Sequence, residues 1–194
     1  LSNGTEIFNI ITNLKNSNAK DTYGLSNNIL KLYKNQIANA LSIAINSHIL
    51  SNQFPACLKI AKVVPLHKSG DKKLANNYRP IAISPIIGKI FEAVLLSRLE
   101  HHLKNNNILN ENQFGFVKKS STESATTHVL SSIYNNIENK KYTAATFIDL
   151  SKAFDSLKHS ILLTKLKKLE LSPPFYNLME SYLSDRVQFV EVNQ

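Results

Sequence analysis

Two short runs constrain this chain more than anything else in it: Lys59-Ile60-Ala61-Lys62-Val63-Val64-Pro65-Leu66 and Tyr78-Arg79-Pro80-Ile81-Ala82-Ile83. Both are rich in β-branched residues, and between them lies His67-Lys68-Ser69-Gly70-Asp71-Lys72-Lys73, a turn composition. Apolar, β-branched runs bounded by Gly and Asp read as strands, so the pair predicts a long hairpin with cations near its tip. Proline cannot donate to a ladder, so Pro65 predicts an edge position. Two roles stay open for the lysines. They keep an edge strand soluble, or they reach for phosphate.

Helical patterns flank the hairpin. Ile7, Ile10, Ile11 and Leu14 recur at helical spacing with Glu6 in the first turn, and Ile29, Tyr33, Ile37, Leu41, Ala44 and Ile45 mark a stripe over 26–48, in one helix or two. Ser84-Pro85 predicts an N-cap followed by proline at the first helical position, and Ile87, Ile90, Phe91, Val94, Leu95, Leu99 and Leu103 form the stripe to be buried behind it. Ser120 with Glu123 fits a capping box for a helix to about residue 140 that buries Val129, Ile133 and Ile137. Leu162, Leu166 and Leu169 stand in register in a helix opening at Asp155 or Ser156, Ser172-Pro173-Pro174 ends it, a short helix covers 175–183, and 186–192 alternates as a strand. Helices and strands in this order predict an α+β fold.

Tyr142-Thr143-Ala144-Ala145-Thr146-Phe147-Ile148-Asp149 predicts one more strand, with Ala145, Phe147 and Asp149 on one face and the carboxylate at its mouth. A strand-end Asp is a turn former or a helix N-cap in its plainest role. It is also a half-open site for a hard cation such as Mg²⁺, which takes one or two carboxylates plus substrate phosphates. Phe154, past the turn, reads by residue type as a core ring.

Charge narrows the partners. Lys and Arg outnumber Asp and Glu by 23 to 14, a net charge of +9, which favours polyanions: nucleic acid first, an anionic membrane surface second. No apolar run has the length of a membrane span, and no basic-then-apolar leader is visible, so an intracellular chain without a membrane partner is expected. A single cysteine, Cys57, excludes an internal disulfide framework and a multi-cysteine zinc site, and His101-His102 adds no metal site. Gly-rich nucleotide loops, Gly-x-Ser-x-Gly elbows and His-Glu-x-x-His helices are absent from the sequence. The chain opens on Leu1 and closes on Val190-Glu191-Val192-Asn193-Gln194, a strand entering a turn, which reads as a fragment.

The string Phe147-Ile148-Asp149-Leu150-Ser151-Lys152-Ala153-Phe154-Asp155 resembles the first palm motif of reverse transcriptases from non-LTR retrotransposons, the LINE-like and in particular jockey-like elements. Ile60-Ala61-Lys62-Val63-Val64-Pro65-Leu66-His67-Lys68 with Asn77-Tyr78-Arg79-Pro80-Ile81 is similar to the fingers hairpin of the same family. Gln113-Phe114-Gly115-Phe116-Val117 with Ser120-Ser121-Thr122 resembles its Gln-x-Gly-Phe-Arg string followed by a Ser-Thr pair, departing at Val117, where arginine is expected.

The resemblance implies a right-hand polymerase: fingers over 1–140 and the beginning of the palm over 141–194, truncated on the C-terminal side. It implies RNA-directed DNA synthesis with Mg²⁺ (or Mn²⁺), an RNA template that includes the element's own RNA, a DNA primer and dNTP, in cytoplasm and nucleus. Asp149 is then the catalytic and metal-binding carboxylate, Lys68 and Arg79 hold the triphosphate, Phe154 lies beneath the sugar, and Asp155 is structural. Arg79 is suited to grip two phosphate oxygens, Lys68 acts as a point charge. Lys62, Lys72 and Lys73 serve a neighbouring nucleic-acid strand; Gln113 and Gly115 lie near the template, with Lys118 or Lys119 standing in for the missing arginine. The family's aspartate pair is expected further along the reading frame, so this stretch alone is expected not to polymerise. Two other readings are open: a nucleic-acid-binding remnant without catalysis, and an unrelated basic α/β interaction domain.

Overall fold

A computed structural model of the chain describes residues 1–150, 153–154 and 156–190. It divides into two units, one of Leu1–Glu100 with His159–Gln194, the other of His101–Lys158.

In the first unit, α1 (Gly4–Asn13) is capped by Asn3, whose side chain accepts from the Glu6 N–H at 2.8 Å, and one turn of spacing puts Ile7 and Ile11 wholly inside. The stripe over 26–48 resolves into two helices, α2 (Asn27–Leu32), capped by Ser26, and α3 (Lys34–Leu50), separated at Tyr33. Then α4 (Ile86–Asn105) supplies Ile86, Ile90, Phe91, Val94 and Leu95 to the core. Phe54 stacks on Phe91 with centroids 5.0 Å apart and meets Tyr182 edge-on at 5.0 Å. Burial, and next the negative charge of Glu92, push the Tyr182 phenol from 10.0 up to about 12, and its hydroxyl donates to Glu92 Oε1 at 3.0 Å. The Arg98 guanidinium forks onto both oxygens of Glu6 at 2.7 Å each, tying α1 to α4.

The start of α4 corrects an expectation. The helix begins at Ile86, not at Pro85, and its cap comes from Asp21 rather than Ser84. Asp21 Oδ2 accepts from the Ile86 N–H at 2.8 Å, while Oδ1 accepts from the Tyr23 and Leu25 N–H groups at 2.9 and 3.0 Å. One buried carboxylate thus shapes its own loop and the first turn of a distant helix.

The sheet has the order β2-β1-β3, with β1 (Ile60–His67) in the centre, β2 (Tyr78–Ile83) antiparallel to it and β3 (Val187–Val190) parallel. Pro65 is therefore on the central strand rather than an edge strand. The described part of β3 pairs with Ile60 to Val63, so among the described residues the neighbour of Pro65 is β2, and the residue opposite is Pro80. The Lys68 N–H donates to Asn77 O at 2.8 Å, and bonded pairs alternate with non-bonded ones from there, which puts Pro65 and Pro80 in a non-bonded pair. No bond between β1 and β2 is lost there. Two helices complete the unit: α6 (His159–Lys168), which starts later than expected, and α7 (Pro173–Leu183), with prolines in its first turn, where a missing N–H costs nothing.

The second unit holds α5 (Thr122–Glu138), opened by Ser121, whose Oγ accepts from the Ser124 N–H at 3.1 Å, rather than by Ser120. The stripe expected to be buried is not: Val129 and Ile137 are exposed and Ile133 is half-buried. No described residue of this unit is buried. The strand expected over 142–150 is absent too, and Tyr142, Phe147, Ile148 and Leu150 stand in solvent. A strand exists through hydrogen bonds to a neighbour, and none of the described strands pairs with this segment. The α+β class holds for the chain as a mixture of helices with a small sheet.

Candidate nucleic-acid interface

Pairing of β1 with β2 sorts the hairpin into two faces. Opposite residues share a face and neighbours alternate, so Lys62, Val64, Leu66 and Lys68 lie with Asn77, Arg79, Ile81 and Ile83. The other face carries Ala61 and Val63, which are buried. Lys68 and Arg79 thus come together on the exposed face at the turn end of the hairpin, diagonal to one another, since Lys68 stands opposite Asn77 and Arg79 opposite Leu66. Lys62 lies at the far end of that face, opposite Ile83. Exposed Val64, Leu66 and Ile81 form an apolar floor between the cations.

The turn adds Lys72 and Lys73, both exposed, against one acid, Asp71, whose Oδ1 is engaged by the Lys73 N–H at 2.9 Å. Around them the side chains of His67, Asn77 and Tyr78 bond to the backbone of the turn. Sequence reasoning assigned no role to these three. The available signal was their placement: His67 and Tyr78 end the two strands opposite each other, and their rings meet edge-on at 5.2 Å.

The remaining candidates belong to the second unit. Asp149 is exposed. Phe154 is 76% exposed, which removes the core reading among the described residues, and its ring meets Phe116 edge-on with centroids 5.7 Å apart. Gln113, Gly115, Lys118 and Lys119 are exposed along the segment before α5, and the Gln113 amide reaches Gly115 O at 3.4 Å. Asp155 lies outside the described residues. A hard cation needs several oxygen ligands. Among the described residues no group of three or more His, Cys, Asp or Glu is placed to hold a metal ion, and Asp149 belongs to no such group. No helix among the described residues is long and apolar enough to cross a membrane.

A paired basic hairpin and, separately, an exposed carboxylate followed by an aromatic ring are what this sequence places on display. Residues 66–194 match the family described as reverse transcriptase (RNA-dependent DNA polymerase), and the chain belongs to that family. It is 31% identical over 189 residues to the RNA-directed DNA polymerase from mobile element jockey of Drosophila melanogaster, covering 97% of this chain and 20% of that protein. It is 33% identical over 153 residues to the probable RNA-directed DNA polymerase from transposon BS of the same organism, covering 78% of this chain and 17% of the relative. With the probable RNA-directed DNA polymerase from transposon X-element, also of Drosophila melanogaster, it shares 29% identity over 182 residues, 93% of this chain and 20% of the relative. The chain spans about a fifth of the length of these curated relatives. Members of the family generally use divalent metal ions.

Proposed function

We propose that this chain is the part of a non-LTR retrotransposon RNA-directed DNA polymerase that grips the incoming nucleotide and begins the metal site, with an RNA template, a DNA primer and dNTP as its partners. Residues 1–140 are fingers and 141–194 open the palm. The observation that carries the reading is the register that sets Lys68 and Arg79 on one exposed face of a hairpin inside the stretch matching the family. Two cations at diagonal positions of one face suit phosphates of one triphosphate, with Arg79 offering a planar fork and Lys68 a mobile charge.

Asp149 supplies one carboxylate to Mg²⁺ or Mn²⁺, with the family's aspartate pair and substrate phosphate supplying further ligands. Exposed Phe154 lies beneath the sugar of the nucleotide. Lys62, Lys72, Lys73, Lys118 and Lys119, with Gln113 and Gly115, run along nucleic-acid backbone, in cytoplasm and nucleus, where the element's RNA is copied.

The test is primer extension by the longer enzyme that carries this chain. Asp149→Asn keeps the shape and loses the charge, so extension is abolished while duplex binding persists; Lys68→Ala with Arg79→Ala raises the KM for dNTP about tenfold or more. Activity of Asp149→Asn within about twofold of the parent removes Asp149 from the metal site. A second reading, nucleic-acid binding without catalysis, is favoured by Val117, which stands where the family's arginine is expected. Extension by the unaltered enzyme excludes it.

A further inference from the structure

Three consecutive carbonyls at the tip of the hairpin each receive a side-chain hydrogen bond from a residue on its flanks. His67 Nε2 lies 3.1 Å from Gly70 O, the Asn77 amide donates at 2.8 Å to Asp71 O, which also accepts the Leu74 N–H at 3.2 Å, and the Tyr78 hydroxyl donates to Lys72 O at 2.9 Å. A carbonyl only accepts, so His67 carries a proton on Nε2. The main-chain N–H groups of Ser69, Gly70, Asp71 and Lys72, by contrast, meet no acceptor among the described residues.

This asymmetry has little to do with stability. In an exposed turn water satisfies carbonyls without ordering anything, whereas a side chain held on each one loses rotamer freedom for a small net gain. What the three bonds do is sort the backbone. Its acceptors are engaged by the strand ends, and a run of unbonded donors is left in the turn that carries Lys72 and Lys73; successive free N–H groups in a turn are the raw material of anion-binding sites. Gly70 completes the device. At φ +81° it occupies the left-handed region, and a Cβ there would come within 2.8 Å of Asn77 Nδ2, so a larger residue displaces the amide that holds Asp71 O.

We infer that His67, Asn77 and Tyr78 are positioning residues that hold the 69–73 turn open to an oligophosphate, presenting its amide N–H groups beside Lys68 and Arg79. The inference rests on the reading above, that Lys68 and Arg79 hold the triphosphate.

The test is calorimetric titration of the 194-residue chain with inorganic tripolyphosphate and, in parallel, with orthophosphate, alongside the melting temperature of each variant. Tyr78→Phe keeps the ring against His67 and removes only the hydroxyl, and Asn77→Ala removes only the amide. Each weakens tripolyphosphate binding about 3- to 10-fold, the effect of one hydrogen bond, while orthophosphate binding and the melting temperature stay put. His67→Leu does the same, and His67→Gln, whose amide nitrogen falls near the place of Nε2, restores affinity. If Lys68→Ala with Arg79→Ala leaves tripolyphosphate binding unchanged, or the parent chain does not bind it, the triphosphate reading itself fails. If that double variant loses binding but Tyr78→Phe and Asn77→Ala keep it, the reading survives and the positioning role is overturned. Equal losses for both anions with a lowered melting temperature also overturn it, because they mark the three side chains as structural.

Discussion

In the unit formed by Leu1–Glu100 and His159–Gln194, Ile7, Ile11, Ile90 and Val94 are wholly withdrawn from water, whereas in His101–Lys158 no described side chain is buried. The difference is not one of composition. α5 carries Val129, Ile133 and Ile137 at the same helical spacing that α1 gives Ile7 and Ile11, and the segment around Asp149 holds Phe147, Ile148 and Leu150. What the first unit has is reciprocity. α1 lies on α3, and Phe54 lies between Phe91 and Tyr182, so each apolar face meets another. A stripe names the side of a helix that gains from burial; the gain itself needs a second surface. The residues proposed for phosphate fall on the firm unit and those proposed for metal and sugar on the other, so the contrast bears directly on the site.

The sharpest way to break the contrast is to hollow out the firm unit. Phe91→Ala removes a fully buried ring stacked on Phe54 and is expected to cost about 3–5 kcal/mol, read by urea denaturation. A loss below about 1 kcal/mol means that the core drawn here does not carry the fold. Next comes Asp21→Ala, which strands three N–H donors, those of Tyr23, Leu25 and Ile86, and is expected to cost about 2–3 kcal/mol. Asp21→Asn, which keeps an acceptor, should recover part of it.

Alkaline titration sharpens the comparison further. The Tyr182 phenol holds its proton more tightly folded than unfolded, its pKa being raised from 10.0 to about 12, so that contribution to stability is complete below pH 10 and is lost as pH rises through about 12. Ultraviolet absorbance should show one of the seven tyrosines ionising late, and Tyr182→Phe should remove that phase. An unchanged titration curve in the variant would place Tyr182 in water. Smallest of all is Ile137→Ala on α5, expected to cost about 0.5 kcal/mol or less because the side chain is already exposed. A loss of about 2 kcal/mol or more would show that this face is covered in solution, and the contrast between the units would dissolve.

Much of this protein was legible in its residues, because local rules act on neighbours in the chain. The hairpin strands, the helix over 5–14, the stripe of α4 and the strand after Arg186 follow from periods of two and 3.6 and from turn chemistry. The proposal of Lys68 and Arg79 as phosphate ligands rests on the strings around them. Tertiary structure decided the rest. The pairing register brought Lys68 and Arg79 onto one face; a carboxylate 65 residues away, Asp21, capped α4 in place of Ser84; and two facing prolines sat where β1 and β2 exchange no bond. The expected strand over 142–150 and the expected burial of Val129 and Ile137 failed for one shared reason. Propensity and amphipathic spacing are properties of a segment, but a ladder bond and a buried face each belong to two segments, and only the folded chain says whether the second one is there.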